Sequence, residues 1–271
     1  MKNLKKNWWR YLLALPVLFV YLSPFYILLG VAFRMPADAS SRWVFPNYLY
    51  LDNFATAMAG RIGQGIRDSL IITVSSVVII ILIGSMAAYP LARNKSKLNK
   101  FLKRFVLGVM MVPPLSILVP IYRIMITIDA ISTYHGIIVL IVTFSLPLAI
   151  FIFTNFISSI PVTLDEAAYI DGCGPARTFF LIIMPQLVPV TTTVAILTGV
   201  FAWNDYQFSL YILQSPRIAS VTLAVTDFFA QVSSDIFGAA AAATLGVLPI
   251  VILFLILQRY FIQGMVDSAI K

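Results

Sequence analysis

The sequence predicts an all-α integral membrane protein of six transmembrane helices, with both termini on the cytoplasmic side (N-in/C-in). Three observations carry that prediction. Of 271 residues, 60% are hydrophobic and 11% charged, with a mean hydropathy of +0.93, which is the composition of a bilayer protein rather than a soluble domain. The lysines fall at Lys2, Lys5 and Lys6, at Lys95, Lys97, Lys100 and Lys103, and at Lys271, each group flanking an apolar run. Lysine gathers in this way on the cytoplasmic side of membrane spans. Between the fourth and fifth apolar runs lies a stretch that still reads as ordered, Pro161 to Pro185. The net charge of +8 therefore belongs to the membrane surface. Without a continuous basic face carrying stacking aromatics, no nucleic-acid partner is expected. The chain, 1–271, reads as one transmembrane domain.

The elements follow in order. MKNLKKNWWR is a basic, tryptophan-bearing interface anchor. A first span is expected over 11–33, longer than the core of a signal peptide and retained. Its Pro16 and Pro24 are tolerable where neighbouring helices satisfy the freed carbonyls. Residues 34–68 carry Arg34, Asp38, Arg42, Asp52, Arg61 and Asp68 but no lysine, which predicts an external loop. The second span, 69–92, holds Ser75, Ser76, Gly84, Ser85, Ala87 and Ala88, small residues that let membrane helices approach closely. RNKSKLNKFLKR then has basic residues and no acidic one, the strongest cytoplasmic marker in the chain. The third span, 105–126, contains Pro113, Pro114 and Pro120. Three prolines predict a broken helix, either lining a water-filled cavity or kinked for packing. The fourth span is expected at 137–157. The fifth, 187–210, ends in FAWNDYQFSLYI. Asn204 and Asp205 are costly in hydrocarbon and are expected to face a cavity or another subunit. Residues 211–236 read as a second external loop, and the sixth span, 237–257, opens with GAAAAATLG, suited to close backbone packing.

The segment 161–185 carries the most local information. Thr163 and Glu166 have capping-box spacing, and Asp165 and Glu166 stand where negative charge complements a helix dipole. Leu164, Ala167 and Ala168 form one stripe at i, i+3, i+4. Gly172 can close the helix in the left-handed conformation, and Gly174-Pro175 fits a second start with proline at the first helical position. That second helix runs through Phe179, Phe180, Ile182 and Ile183 to Pro185. The product is a helix, a glycine turn and a second helix. Cys173, alone in the chain, excludes an intrachain disulfide. No glycine is followed by lysine, so the chain has no phosphate-binding loop of its own. No catalytic residues and no metal or cofactor are expected in it.

Glu166-Ala167-Ala168, Gly172 six residues after the glutamate, Ile182 ten after that, and Pro185 resemble the EAA loop of binding-protein-dependent ABC importer permeases. Met184 stands where that family usually has leucine. YLDNF at 50–54, AAYPLAR at 87–93, MVPPLSILVPIY at 111–122, AWND at 202–205 and QRYFIQG at 258–264 extend the likeness over 50–271, towards the carbohydrate branch and the six-span inner-membrane permease of maltose-type importers. Asp267 stands where the branch usually has a small residue. The resemblance implies a prokaryotic inner-membrane protein in which 161–185 is a cytoplasmic coupling helix-turn-helix. Its contacts to an ATP-binding subunit would come from Thr163, Asp165, Glu166, Ala167, Ala168, Tyr169, Asp171, Gly172, Ile182 and Pro185. It also implies a second permease (a heterodimer), two ATP-binding subunits that hold ATP and Mg, a solute-binding protein, and a sugar or oligosaccharide. Gln258, Arg259 and Gly264 are expected to touch the ATP-binding subunit. Trp203, Asn204, Asp205 and Tyr206 are expected on the substrate path or at the permease interface. The competing reading is a secondary transporter or channel with an interfacial amphipathic helix, for which buried ionisable relays or inverted repeats would be the signature.

Overall fold

The computed structural model describes residues 8–231 and 235–269; Lys2, Lys5, Lys6 and Lys271 lie outside them. Among the described residues every regular element is helical. The expected first span is α1 (Trp8–Ala32), continuous through Pro16 and Pro24. After it come α2 (Asp52–Ala57), a π turn at Met58–Ile62 and α3 (Gly63–Arg93). The sequence reading of 34–68 as loop therefore fails from Asp52 onward. Asn53, Ala57 and Ile62 turn inward there, with the Asn53 amide donating to the carbonyls of Ala32 (2.9 Å) and Arg34 (2.8 Å), a short inward face that the surrounding charges obscure.

The expected break in the third span is present. α4 (Lys97–Val109) is followed by a 3-10 turn at Pro114–Ile117 and α5 (Leu118–Thr127), and the two arms meet at 93°. Pro113 and Pro114 cannot donate to the preceding turn. Next come α6 (Tyr134–Ser159), α7 (Thr163–Ile170), α8 (Pro175–Thr178), a π turn at Phe179–Ile183 and α9 (Met184–Gln186). α10 (Val188–Trp203) departs from the 175–186 arm at 77°. It stops short of the expected residue 210, because α11 (Gln207–Ile212) starts afresh after a break. The supposed second external loop contains α12 (Val221–Gln231). α13 (Ile236–Ala269) carries the sixth span on through the tail. Among the described residues four helices are long and apolar enough to cross a membrane, and each bent pair counted as one span brings the number to six.

The chain falls into two compact units, Met1–Gly63 with Ala224–Leu248, and Gln64–Leu223 with Pro249–Lys271. In the first, Val31, Ala32, Ala240 and Ala241 form the core. Arg34, 1% exposed, organises the loop after α1 by donating to the carbonyls of Ser40 (2.8 Å), Ser41 (3.2 Å) and Val44. In the second, one cluster gathers Ile137, Ile141, Phe208 and Ile212. Another gathers Ile80, Ala149, Phe153, Ile157, Phe179, Ile183 and Leu187. The close approach expected of the small residues occurs in this cluster: a Cβ on Gly84 would stand 3.2 Å from that of Ala149. The second cluster also forms the floor under 161–187.

Candidate functional site

The capping box does not form. Val162, in helical conformation (φ −66°, ψ −24°), is the N-cap, and Thr163 is already the first helical residue. The amides of Asp165 and Glu166 donate to the Val162 carbonyl at 2.9 and 3.1 Å, so backbone alone satisfies the donors that the Thr163 hydroxyl would have taken.

Asp165 instead turns inward. Its carboxylate pairs with Arg93 at 2.8 Å and accepts from the Tyr89 hydroxyl at 2.5 Å. Arg93 also donates to the carbonyls of Ile157 (3.1 Å) and Ile160 (2.9 Å) at the end of α6, where carbonyls run short of intrahelical donors. One guanidinium therefore joins the C-terminal ends of α3 and α6 to α7. The side chains of Arg93 and Asp165 are only 13% and 16% exposed, so the pair is poorly screened by water.

The other face of α7 is bare. Glu166, Ala167 and Asp171 are exposed, and Tyr169 and Ile170 are 80% and 84% exposed. Ala168 is buried, but Leu164 is not. The inward face is thus Asp165 with Ala168, rather than the predicted stripe of Leu164, Ala167 and Ala168.

The glycine turn is as expected. Gly172 has φ +77°, its amide donates to Tyr169 (3.0 Å), and the Cys173 amide donates to Ala168 (2.9 Å). These are the paired bonds of a Schellman motif. Gly174 then serves as an extended N-cap with Pro175 in first position. Beyond it Phe179 and Ile183 enter the core cluster, with Ile182 packed against it, and the Phe179 ring lies 5.4 Å from that of Tyr89. Pro185 is exposed. Tyr89 and Arg93 are the residues that sequence reasoning missed. AAYPLAR contains both, but nothing local assigns them a partner in α7.

At the far end of α10 the predicted residues separate. Trp203 is buried, 3% exposed, whereas Asn204 and Tyr206 are exposed. In place of the cavity or subunit expected opposite it, Asp205 meets its own chain. Its carboxylate caps α11, accepting from the amides of Phe208 (3.2 Å) and Ser209 (2.9 Å) and from the Ser209 hydroxyl (2.8 Å). A capped carboxylate needs no cavity. Gln258 donates to the Leu255 carbonyl at 3.0 Å. Arg259 and Gly264 lie in α13, but outside the residues whose side chains are described.

Comparison with known proteins turns this geometry into an assignment. Residues 80–267 match the family described as "Binding-protein-dependent transport system inner membrane component". The chain belongs to this family. It is accordingly a multi-pass inner membrane permease of ABC transport, and the resemblance read in the sequence is correct. It is 41% identical over 263 residues to the melibiose/raffinose/stachyose import permease protein MelC of Bacillus subtilis (strain 168), covering 96% of this chain and 95% of that one. It is 31% identical over 269 residues to the multiple sugar-binding transport system permease protein MsmG of Streptococcus mutans, covering 97% and 96%. Among solved structures it resembles a chain of a bacterial ABC transporter involved in the import of the acidic polysaccharide alginate. The TM-score is 0.80 at 14% identity, over 96% of this chain and 98% of that one, a likeness of fold.

Proposed function

We propose that this permease forms half of a translocation path for a sugar or oligosaccharide, and that 161–185 receives the motion of ATP-binding partner subunits. The observation that carries the coupling role is the two-sidedness of α7. Its inner face is tied down through Asp165, while its outer face presents bare Tyr169 and Ile170 rimmed by Glu166 and Asp171. An exposed aromatic–aliphatic centre with a charged rim is the anatomy of a protein interface. Glu166 would pair with a cation in the partner's cleft, and Ala167 would allow close approach. Losing one member of such a partly desolvated pair costs a few kcal/mol.

The same reading puts both termini and 161–185 in the cytoplasm. It assigns ATP and Mg to two ATP-binding subunits, leaves this chain without catalysis, and pairs it with a second permease supplied by a solute-binding protein. Exposed Asn204 and Tyr206 would lie on the path or at the permease interface, and Gln258, Arg259 and Gly264 near the ATP-binding subunit. The names of the sugar-import relatives support the substrate class.

The test is reconstitution of the assembled transporter with Gly172→Asp or Tyr169→Ala. We expect membrane insertion to persist, ATP-binding subunits to be retained less well, and ATP-driven uptake to be lost. Unimpaired uptake by both variants would overturn the coupling role.

A further inference from the structure

α4 is the most strongly two-faced helix of the chain. Lys97, Lys100, Lys103 and Arg104 share one side, and Leu98, Phe101, Leu102 and Phe105 the other. Of the apolar set, Leu98, Phe101 and Phe105 are each more than half exposed, and the rings of Phe101 and Phe105 stack at 6.3 Å. A basic amphipathic helix of this kind lies in the plane of a membrane interface. Its 93° bend from the next arm suits that orientation.

Where α4 meets α6 there is a crevice of about 130 Å³. Its walls include Val106 of α4 with Ile150 and Phe151 of α6, and Lys103, Thr154 and Asn155 supply polar groups. Thr154 is 6% exposed, and its hydroxyl has no hydrogen-bond partner among the described residues. A buried hydroxyl without a partner is unfavourable, yet this one opens on an apolar slot that half-buried Lys103 also lines.

We propose that the crevice is a binding site for one anionic glycerophospholipid. The phosphate would lie against Lys103 and Lys100, which are three residues apart and share a face. An acyl chain would fill the slot along Val106, Ile150 and Phe151, and Thr154 would donate to an ester carbonyl. Basic pockets between spans are recognised sites for acidic lipid headgroups. The charge is complementary, since α4 has no acidic residue. The proposal stands independently of the coupling role of 161–185.

The test is native mass spectrometry of the purified full chain with dioleoyl phosphatidylglycerol or dioleoyl phosphatidylcholine. We expect preferential retention of the anionic phosphatidylglycerol. Lys103→Gln should weaken it about fivefold, the contribution of one cation at such a surface, and Lys103→Arg should restore it. Thr154→Val, which keeps volume, should weaken retention of both lipids by a similar factor, and Lys97→Gln, remote from the crevice, should change little. Equal retention of the two headgroups would overturn the site. So would equal losses for the Lys97 and Lys103 variants, which would show diffuse surface attraction only. In the assembled transporter, efficient disulfide capture of Val106→Cys by a cysteine on the partner permease, in a Cys173→Ser background, would show that protein fills the slot and would also overturn the proposal.

Discussion

The two ends of α3 each hold a carboxylate-centred cluster, built to different specifications. Near the first end Asp68 is fully buried. It accepts from the Tyr134 hydroxyl (2.8 Å), the Ala219 amide (3.1 Å) and Gln64 (3.3 Å), and pairs with Arg67 at 2.9 Å. At the second end Asp165 and Arg93 keep partial exposure and adjoin the bare face of α7. The first cluster is built around a fully buried carboxylate, and it ties α3 to α6 and to the 213–220 segment. The second is tied to its own chain on one side and exposed on the other. Roughly 38 Å separates them along the helix at 1.5 Å per residue, more than the hydrocarbon thickness of a bilayer. A polar cluster can stand at each end of the span without either entering the lipid core.

That contrast can be broken experimentally, starting with the buried end. Asp68→Ala orphans a part-buried hydroxyl and a buried amide, and is expected to cost about 3 kcal/mol of stability, read as a lowered midpoint of thermal unfolding in detergent. A loss below about 1 kcal/mol would show that the cluster locks nothing. At the exposed end, a double-mutant cycle of Arg93→Gln and Asp165→Asn should give a coupling energy of about 1–2 kcal/mol. The Asp165 variant should lose more uptake than stability, and proportionate losses would make this end a lock like the other. Gly172→Ala comes next. A Cβ there meets nothing within 4 Å, so the whole penalty is backbone, about 1–2 kcal/mol for the left-handed conformation. Gly172→Asn should recover part of it.

The smallest effect is a pH effect in the loop after α1. The Tyr48 hydrogen bond, reinforced by Ser40, lowers the Asp38 pKa from 3.8 to about 2. A depressed carboxylate stabilises the loop above its free value and loses that contribution as pH falls through the folded one. Between about pH 4 and 2 the loop should therefore loosen, with Trp43 fluorescence in a background lacking the other tryptophans as reporter. Tyr48→Phe should move the midpoint upward, and an unchanged midpoint would remove Tyr48 as the cause.

Much of the fold was legible because its signals are local. Apolar length revealed the four long helices, paired prolines revealed the break after α4, and Gly172 with Gly174-Pro175 revealed the turn within 161–185. What the sequence concealed depends on distant partners. Asp165 looked like a residue of a helix first turn, and only the fold brings it to Tyr89, 76 positions away. Asp68 looked like loop charge, yet its acceptor oxygens are filled by Tyr134 and Ala219. Asp205 looked like a residue awaiting a cavity because its cap on α11 could be seen only once α10 ended at Trp203. α12 was hidden because its 11 residues, though apolar, are too few to read as a span and lie among Arg217, Asp227 and Asp235.

The 77° corner between 175–186 and α10 has a mechanical meaning. A thrust delivered along the first arm has only a small component parallel to the axis of α10, so it arrives as a sideways force on the foot of that helix. A membrane helix pushed this way leans instead of sliding lengthwise, and a bilayer accommodates tilt at modest cost. Under the proposed coupling role, the corner would favour rocking over piston travel.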